Sequence, residues 1–228
     1  GSRRTAGMWG FRVGCHRGMC APCPTPWEGG WPSTVGRWRC TAHNPPMDDI
    51  VKQALAKWPN VPDCYGWLGL DARGHWYLRD DAVQAAGAFP HSKGTLLQHD
   101  KLLAFIARNY EHDDQGQWFF QNGPQRVYVE LEATPWVWRL QPQDLHAISH
   151  TGREASVRHC LLDEQGRVYL ETDLGLGLVH TLDVALAAEA VTDGRWTPQD
   201  VQAQDLPARY GYVCSPRARS QAGASRPT

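Results

Sequence analysis

The chain has 228 residues with 23 basic and 24 acidic side chains, a formal charge of −1. That balance is uneven: residues 47–216 carry 14 Lys and Arg against 23 Asp and Glu, an acidic excess that repels a phosphate backbone and argues against nucleic acid as a partner of this portion. No run approaches the roughly 18 apolar residues of a membrane span and no apolar signal core follows the first arginines, so a cytoplasmic protein without membrane contact is expected.

Residues 1–46 are compositionally foreign. They contain no Leu, Ile, Asp, Lys, Gln or Tyr, while Gly, Arg, Pro, Trp and Cys supply 28 of them. With Val13 and Val35 as its only β-branched aliphatics, the segment cannot build a core. GC-rich DNA read outside its proper frame gives this composition, and Met47 opens a regular amphipathic pattern. Met47 is therefore expected to be the natural start, with residues 1–46 disordered or untranslated. A metal reading competes: Cys20-x2-Cys23 and Cys40-x2-His43 have the knuckle spacing of a zinc ribbon. The stretch between them, PTPWEGGWPSTVGRWR, offers few strand residues. Composition outweighs spacing, and a zinc-binding N-terminal module is kept as an alternative.

From Asp49 to Trp58 the pattern is a short helix closed by Pro59. Tyr65–Leu70 and His75–Arg79 form a hairpin around Asp71–Gly74, and Asp80–Ala88 a helical turn. Thr95 and Gln98 fit a capping box opening a central helix whose apolar face is His99, Leu102, Leu103, Ile106, Ala107 and Tyr110. His99 on that face is expected to be a satisfied core histidine. After the turn Asp113–Gly116 the period changes to strands: Trp118–Phe120, the hairpin signal Asn122-Gly123, and an alternating strand. In that strand Val127, Val129 and Leu131 face the helix while Arg126, Tyr128, Glu130 and Glu132 face water. Thr134-Pro135 stops it before the strand Trp136–Trp138. Leu145–Ser149 and Arg158–Leu162 flank a His-Thr-Gly-Arg turn. Gly175–His180 is a strand, Thr181–Val191 a helix, and Gln199–Tyr212 holds a last short helix. The tail from Ser215 has the makeup of disorder.

Three segments repeat one pattern: Asp71-Ala-Arg-Gly74, Asp113-Asp-Gln-Gly116 and Asp163-Glu-Gln-Gly166, each followed by an aromatic strand. As calcium loops they supply too few oxygens within about a dozen residues; as bulged hairpin turns they are complete. The fold class is accordingly α+β, with antiparallel sheets built from repeated bulged hairpins packed on a few helices. Two small halves are expected, 47–140 and 141–215, with a disordered tail at 216–228.

The order of helix, acidic turn, aromatic strand, Gly-Pro loop, alternating strand and ATPWVW resembles a group of uncharacterised, mostly proteobacterial domain-of-unknown-function families. There a stretch of the form TPVEK…I.VEDAPFV stands where this chain has NGPQRVYVELEATPWVW. The resemblance spans roughly Met47 to Pro216. It implies a two-part α+β fold with repeated motifs and a role in signalling or regulation. The chain departs at Asn122, Gly123 and Gln125, which replace the acidic loop of those families.

Chemistry is sparse. Cys64, Cys160 and Cys214 are odd in number and far apart, as expected of reduced buried thiols. Of the three, only Cys160, beside His159, has a neighbour that suits a catalytic thiol. Gly175-Leu-Gly177 lacks the third glycine and following helix of a dinucleotide loop. An enzyme would need two or more of His146, His150, His159 and His180 in one pocket beside a carboxylate. The better surface is Asn122, Gly123 and Arg126 with Tyr128, Trp136 and Trp138: backbone N–H groups, a guanidinium fork and flat aromatic area. Core burial is the opposing expectation for the tryptophans. The sequence thus favours a non-catalytic protein, without cofactor or resident metal, binding a small molecule or protein partner in a regulatory role.

Overall fold

A computed structural model of the protein describes residues 49–57 and 60–224; the start, disorder and zinc readings of residues 1–46 lie outside these. In chain order the elements are α1 (Asp49–Lys57), β1 (Cys64–Leu70), β2 (Trp76–Leu78), α2 (Asp81–Ala86), β3 (Thr95–Leu96), α3 (Asp100–Arg108), β4 (Tyr110–His112), β5 (Trp118–Asn122) and β6 (Gln125–Leu131). There follow β7 (Trp136–Leu140), β8 (Ala147–Ser149), β9 (Glu154–Ala155), β10 (Val157–Asp163), β11 (Val168–Thr172), β12 (Gly175–Val179), α4 (Val184–Thr192), β13 (Pro198–Val201), α5 (Leu206–Tyr210) and α6 (Pro216–Ala224).

The strands make two sheets, ordered β3-β2-β1-β6-β5-β4 and β13-β10-β11-β12-β7-β8-β9. Each consists of two three-stranded meanders. They join where the first strand of one meander lies parallel to the last strand of the other, β1 with β6 and β7 with β12. β13 extends the second sheet parallel to β10. The fold is α+β, and its sheets are mixed because a parallel pair needs a long crossover, which the rest of both meanders supplies. β7, placed by the sequence in the N-terminal half, pairs with β8 and β12 in the second sheet. The sheets therefore divide between Leu131 and Trp136.

The repeated turns are built alike. In each, the aspartate Oδ1 accepts the backbone N–H groups two and four residues on, at 2.8–2.9 Å, and a glycine at φ 72–82° closes the turn. The second oxygen takes a tyrosine hydroxyl: Tyr77 on Asp71, Tyr128 on Asp113, Tyr169 on Asp163. Burial raises the pKa of these carboxylates, and the hydrogen bonds outweigh it, leaving all three below the usual range. A fourth copy, Ser149–Arg153, uses the serine Oγ as acceptor for Arg153 N, with Gly152 at φ 81°. Asp163 also accepts Arg167 Nε at 2.7 Å. Asp163→Ala would strip four donors of their acceptor, one of them the buried Tyr169 hydroxyl, and is expected to cost about 3 kcal/mol in a denaturant titration. A loss as small as that of the exposed Asp114→Ala would contradict this role for the carboxylate.

The two sheets meet through an aromatic cluster: Trp76, Tyr110 and Trp118 from the first, Trp136 and His150 from the second. Trp118 and Tyr110 meet Trp136 edge-on at 5.1 and 5.6 Å. This joint explains one departure from the sequence reading. Tyr110, read as helical, is a fully buried strand residue whose hydroxyl donates to Pro135 O. At the other end of that helix, Thr95 is not a cap but pairs with Leu78. His99, read as a core residue, is exposed and caps α3 by accepting from Leu102 N at 3.3 Å.

Two further departures concern β6 and the tail. Tyr128 and Glu130, read as facing water, are 3% and 4% exposed. Tyr128 is covered by the stacked Tyr65 ring, and Glu130 by the residues after Ser215, which fold over it as α6. The tail is helical despite having no aliphatic side chains larger than alanine to bury. Its start is held by polar contacts: Ser215 Oγ caps Ala218 N, Pro216 takes the first helical position, and Glu130 accepts both Ser215 Oγ and Arg217 N.

Candidate functional site

Along β6, Arg126, Tyr128 and Glu130 share one face, as the alternation predicts. At the near end Asn122 and Arg126 are exposed, and Gly123 turns the hairpin at φ 58°. The Arg126 guanidinium lies 4.8 Å over Phe119. Tyr128 stacks on Tyr65 with ring centroids 4.6 Å apart, and its hydroxyl donates to Asp113; burial pushes its pKa up to about 12. Trp136 and Trp138 do not join this surface. They are 2% and 0% exposed, and their indole N–H groups donate to Leu174 O and Leu170 O. β7 is paired on both sides, so its large side chains become core.

The four histidines do not converge. His146 and His159 are exposed. β10, carrying His159, and β8, beside His146 and His150, are four strand steps apart, about 19 Å at the usual spacing. His150 sits in the aromatic joint: its Nδ1 accepts Val137 N at 3.3 Å, so Nε2 carries the proton, and Nε2 is buried without an acceptor. Burial first, and Arg153 second, depress its pKa to about 3. His180 caps a 3₁₀ turn by accepting from Leu182 N, and burial lowers its pKa. Cys160 is buried in the core with its pKa raised to about 11 by burial, unlike a thiolate nucleophile.

At the far end of the β6 face lies a cavity of ≈ 250 Å³ lined by residues from five separate stretches, among them Arg79, Gln84, Phe89, Glu130, Ser215 and Arg217. Gly69 pairs with Glu130 in the parallel register, and having no side chain it leaves room for the Phe89 ring to pack on the strand. Arg79, 1% exposed, follows β2 and donates to Gly66 O, Gly87 O and Ser92 O at 2.7–3.0 Å. Burial lowers its pKa, with Arg217 adding to the effect and Glu130 opposing it. Gln84 donates to Arg79 O. The Glu130 carboxylate accepts Ser215 Oγ at 2.5 Å and Arg217 N at 3.0 Å. The Arg217 guanidinium forms no hydrogen bond or ion pair with the described residues. A second hollow, ≈ 330 Å³, is lined entirely by residues between Asp200 and Arg209, so no distant groups meet there.

Arg126, Tyr128 and Glu130 thus share the face that the alternation indicated, and the cavity lies at the Glu130 end rather than at the Asn122 loop. Arg79 and Arg217 carried no local signal of function. Ser215-Pro216 was a helix-start signal, and it would have brought Arg217 into view.

Comparison with family profiles matches residues 47–217 to DUF2944, described as a protein of unknown function (DUF2946). The chain belongs to the DUF2944 family. Among solved structures, a DUF1285 family protein from Silicibacter pomeroyi DSS-3 aligns with a TM-score of 0.40 and 12% identity, covering 57% of this chain and 72% of its own. Another DUF1285 protein, from Shewanella baltica OS155, aligns with a TM-score of 0.36 and 19% identity over 54% and 91%. A search of curated proteins gives no match. No helix among the described residues is long and apolar enough to cross a membrane.

Proposed function

We propose that this DUF2944 member is a non-catalytic binding protein whose ligand occupies the cavity lined by the residue after β2, by α2 and the loop that follows it, by β6 and by α6. The observation that carries this reading is the Arg217 guanidinium, which has no hydrogen-bond or ion-pair partner among the described residues while the groups around it are committed. Arg79 holds three carbonyls, Glu130 holds the start of α6, and Ser215 both donates to Glu130 and accepts from Ala218 N. A serine and carboxylate so engaged are poorly placed to act as nucleophile and base. No histidine among the described residues lines the cavity. Its volume, just below the roughly 300–1,000 Å³ of drug-sized sites, suits a metabolite. A regulatory role follows naturally, since a ligand on Arg217 touches the helix that closes the site.

Thermal-shift screening of the full chain against a metabolite library tests the reading, with Ala218→Trp as the filled-cavity control. Ligands that raise the melting temperature of the wild type by several degrees and leave Ala218→Trp unmoved are expected, because binding stabilises the native state by mass action. Stabilisation by the same compounds in both proteins would place binding elsewhere and sink this assignment.

A further inference from the structure

Resting on that reading, we propose that the cavity takes a small monocarboxylate, its carboxylate clamped by Arg217 beside the start of α6 and its apolar end against Phe89. Charge inside the cavity decides the valence. Arg79 and Arg217 contribute two positive charges and Glu130 one negative, all three among its lining residues. A single positive charge is left uncompensated, and one negative charge on the ligand neutralises it. A phosphate dianion would over-compensate and meet the buried Glu130 carboxylate, which, as a fixed part of the α6 cap, cannot withdraw. Like charges held that close repel one another.

Geometry decides the headgroup. A free guanidinium presents two parallel N–H bonds that match a carboxylate. Arg217 is held in place from below, because its backbone N–H is tied to Glu130 and its Cδ lies over Gly66, where a Cβ would come within 2.8 Å of it. Beside the charged residues the lining offers Phe89, Ala88, Gly87 and Ala218 as apolar or small wall, with Gln84, Ser215 and Gln221 as its neutral polar groups. The Gln84 Oε1 atom packs over the same glycine. A ligand with one acid group and a short hydrocarbon or aromatic body fits these walls.

The experiment is calorimetry on the full chain with butyrate and benzoate, their neutral amides, and inorganic phosphate. Carboxylates are expected to bind and their amides not to. Arg217→Gln is expected to weaken carboxylate binding about 10- to 100-fold, with Arg217→Lys intermediate because it keeps charge but loses the fork. Circular dichroism of each variant checks that α6 is retained. Phosphate binding through Arg217 without carboxylate binding overturns the ligand class and leaves the cavity reading standing. Carboxylate affinity unchanged in Arg217→Gln overturns the clamp. Failure of every compound, here and in the Ala218→Trp-controlled screen, removes the cavity reading as well.

Discussion

Gly116→Ala is expected to lower the melting temperature by roughly 10 °C, while the same change at Gly166 costs about 3–5 °C. Both glycines close the same turn, at φ 72° and 76°, so both replacements pay the left-handed penalty of about 1–2 kcal/mol. Around Gly166 a new Cβ meets nothing within 4 Å. At Gly116 it would run into the carbonyl of Gly211, with Tyr212 Cα at 3.3 Å. These are backbone atoms, and Val213 N donates to Gly116 O at 3.0 Å, holding the two segments together. Neither can rotate away, so overpacking adds about 1–3 kcal/mol. At about 2–4 °C per kcal/mol for a protein of this size, the two variants separate cleanly by calorimetry. Equal losses at the two sites would mean that the C-terminal segment does not lie against this turn.

The second large effect is acid sensitivity through His150. Its pKa in the folded protein is about 3 against an ordinary 6.5. Below pH 6.5 the unfolded chain takes up a proton that the folded chain refuses. The resulting stability is complete above pH 6.5 and drains as pH falls toward 3. At 1.36 kcal/mol per pH unit the total is about 4–5 kcal/mol, a large share of a domain's stability. His180 is displaced in the same direction. The depressed aspartates act later: their contribution is present above the ordinary carboxylate pKa of 3.8 and is lost only as pH falls below it. His150→Asn keeps an acceptor near the Nδ1 position for Val137 N and removes the titration. Urea denaturation between pH 7 and 4.5 should show a steep decline for the wild type and a much flatter one for the variant. Parallel pH profiles would show that His150 is not buried neutral.

How much was legible depended on the range of the interaction that decides each feature. The three aspartate turns were readable because the parts that build each one lie within five residues: the carboxylate, two backbone N–H groups and a positive-φ glycine. The fourth was missed because Ser149 performs the same acceptor role with a different side chain. The strand alternation of β6 was correct in phase, since phase is a property of the extended backbone. Whether its polar face met water was not, since Tyr65 of β1 covers Tyr128 and the start of α6, 87 residues away, covers Glu130. The capping box at Thr95 had the right local letters and lost to a backbone pairing with Leu78.

The candidate site divides in the same way. The sequence pointed to Arg126, Tyr128 and the loop at Asn122, where local signals concentrate, and to Trp136 and Trp138, which the inner position of β7 turns into core. Glu130 lay on the indicated face without distinction. It gained meaning only when Arg79, at the end of a different strand, and Arg217, in a tail whose composition suggested disorder, were brought to it.

By itself, then, the sequence determined the α+β class, the turn architecture and the membership of residues 47–217 in a family, because these rest on local periodicity, side chain to backbone bonds and motif order. Only the tertiary structure decided which meanders join in parallel, which aromatic residues are core, and which distant residues line the cavity beside Glu130. Those outcomes are set by contacts between residues far apart in the chain, whose energies do not exist until the sheets have closed.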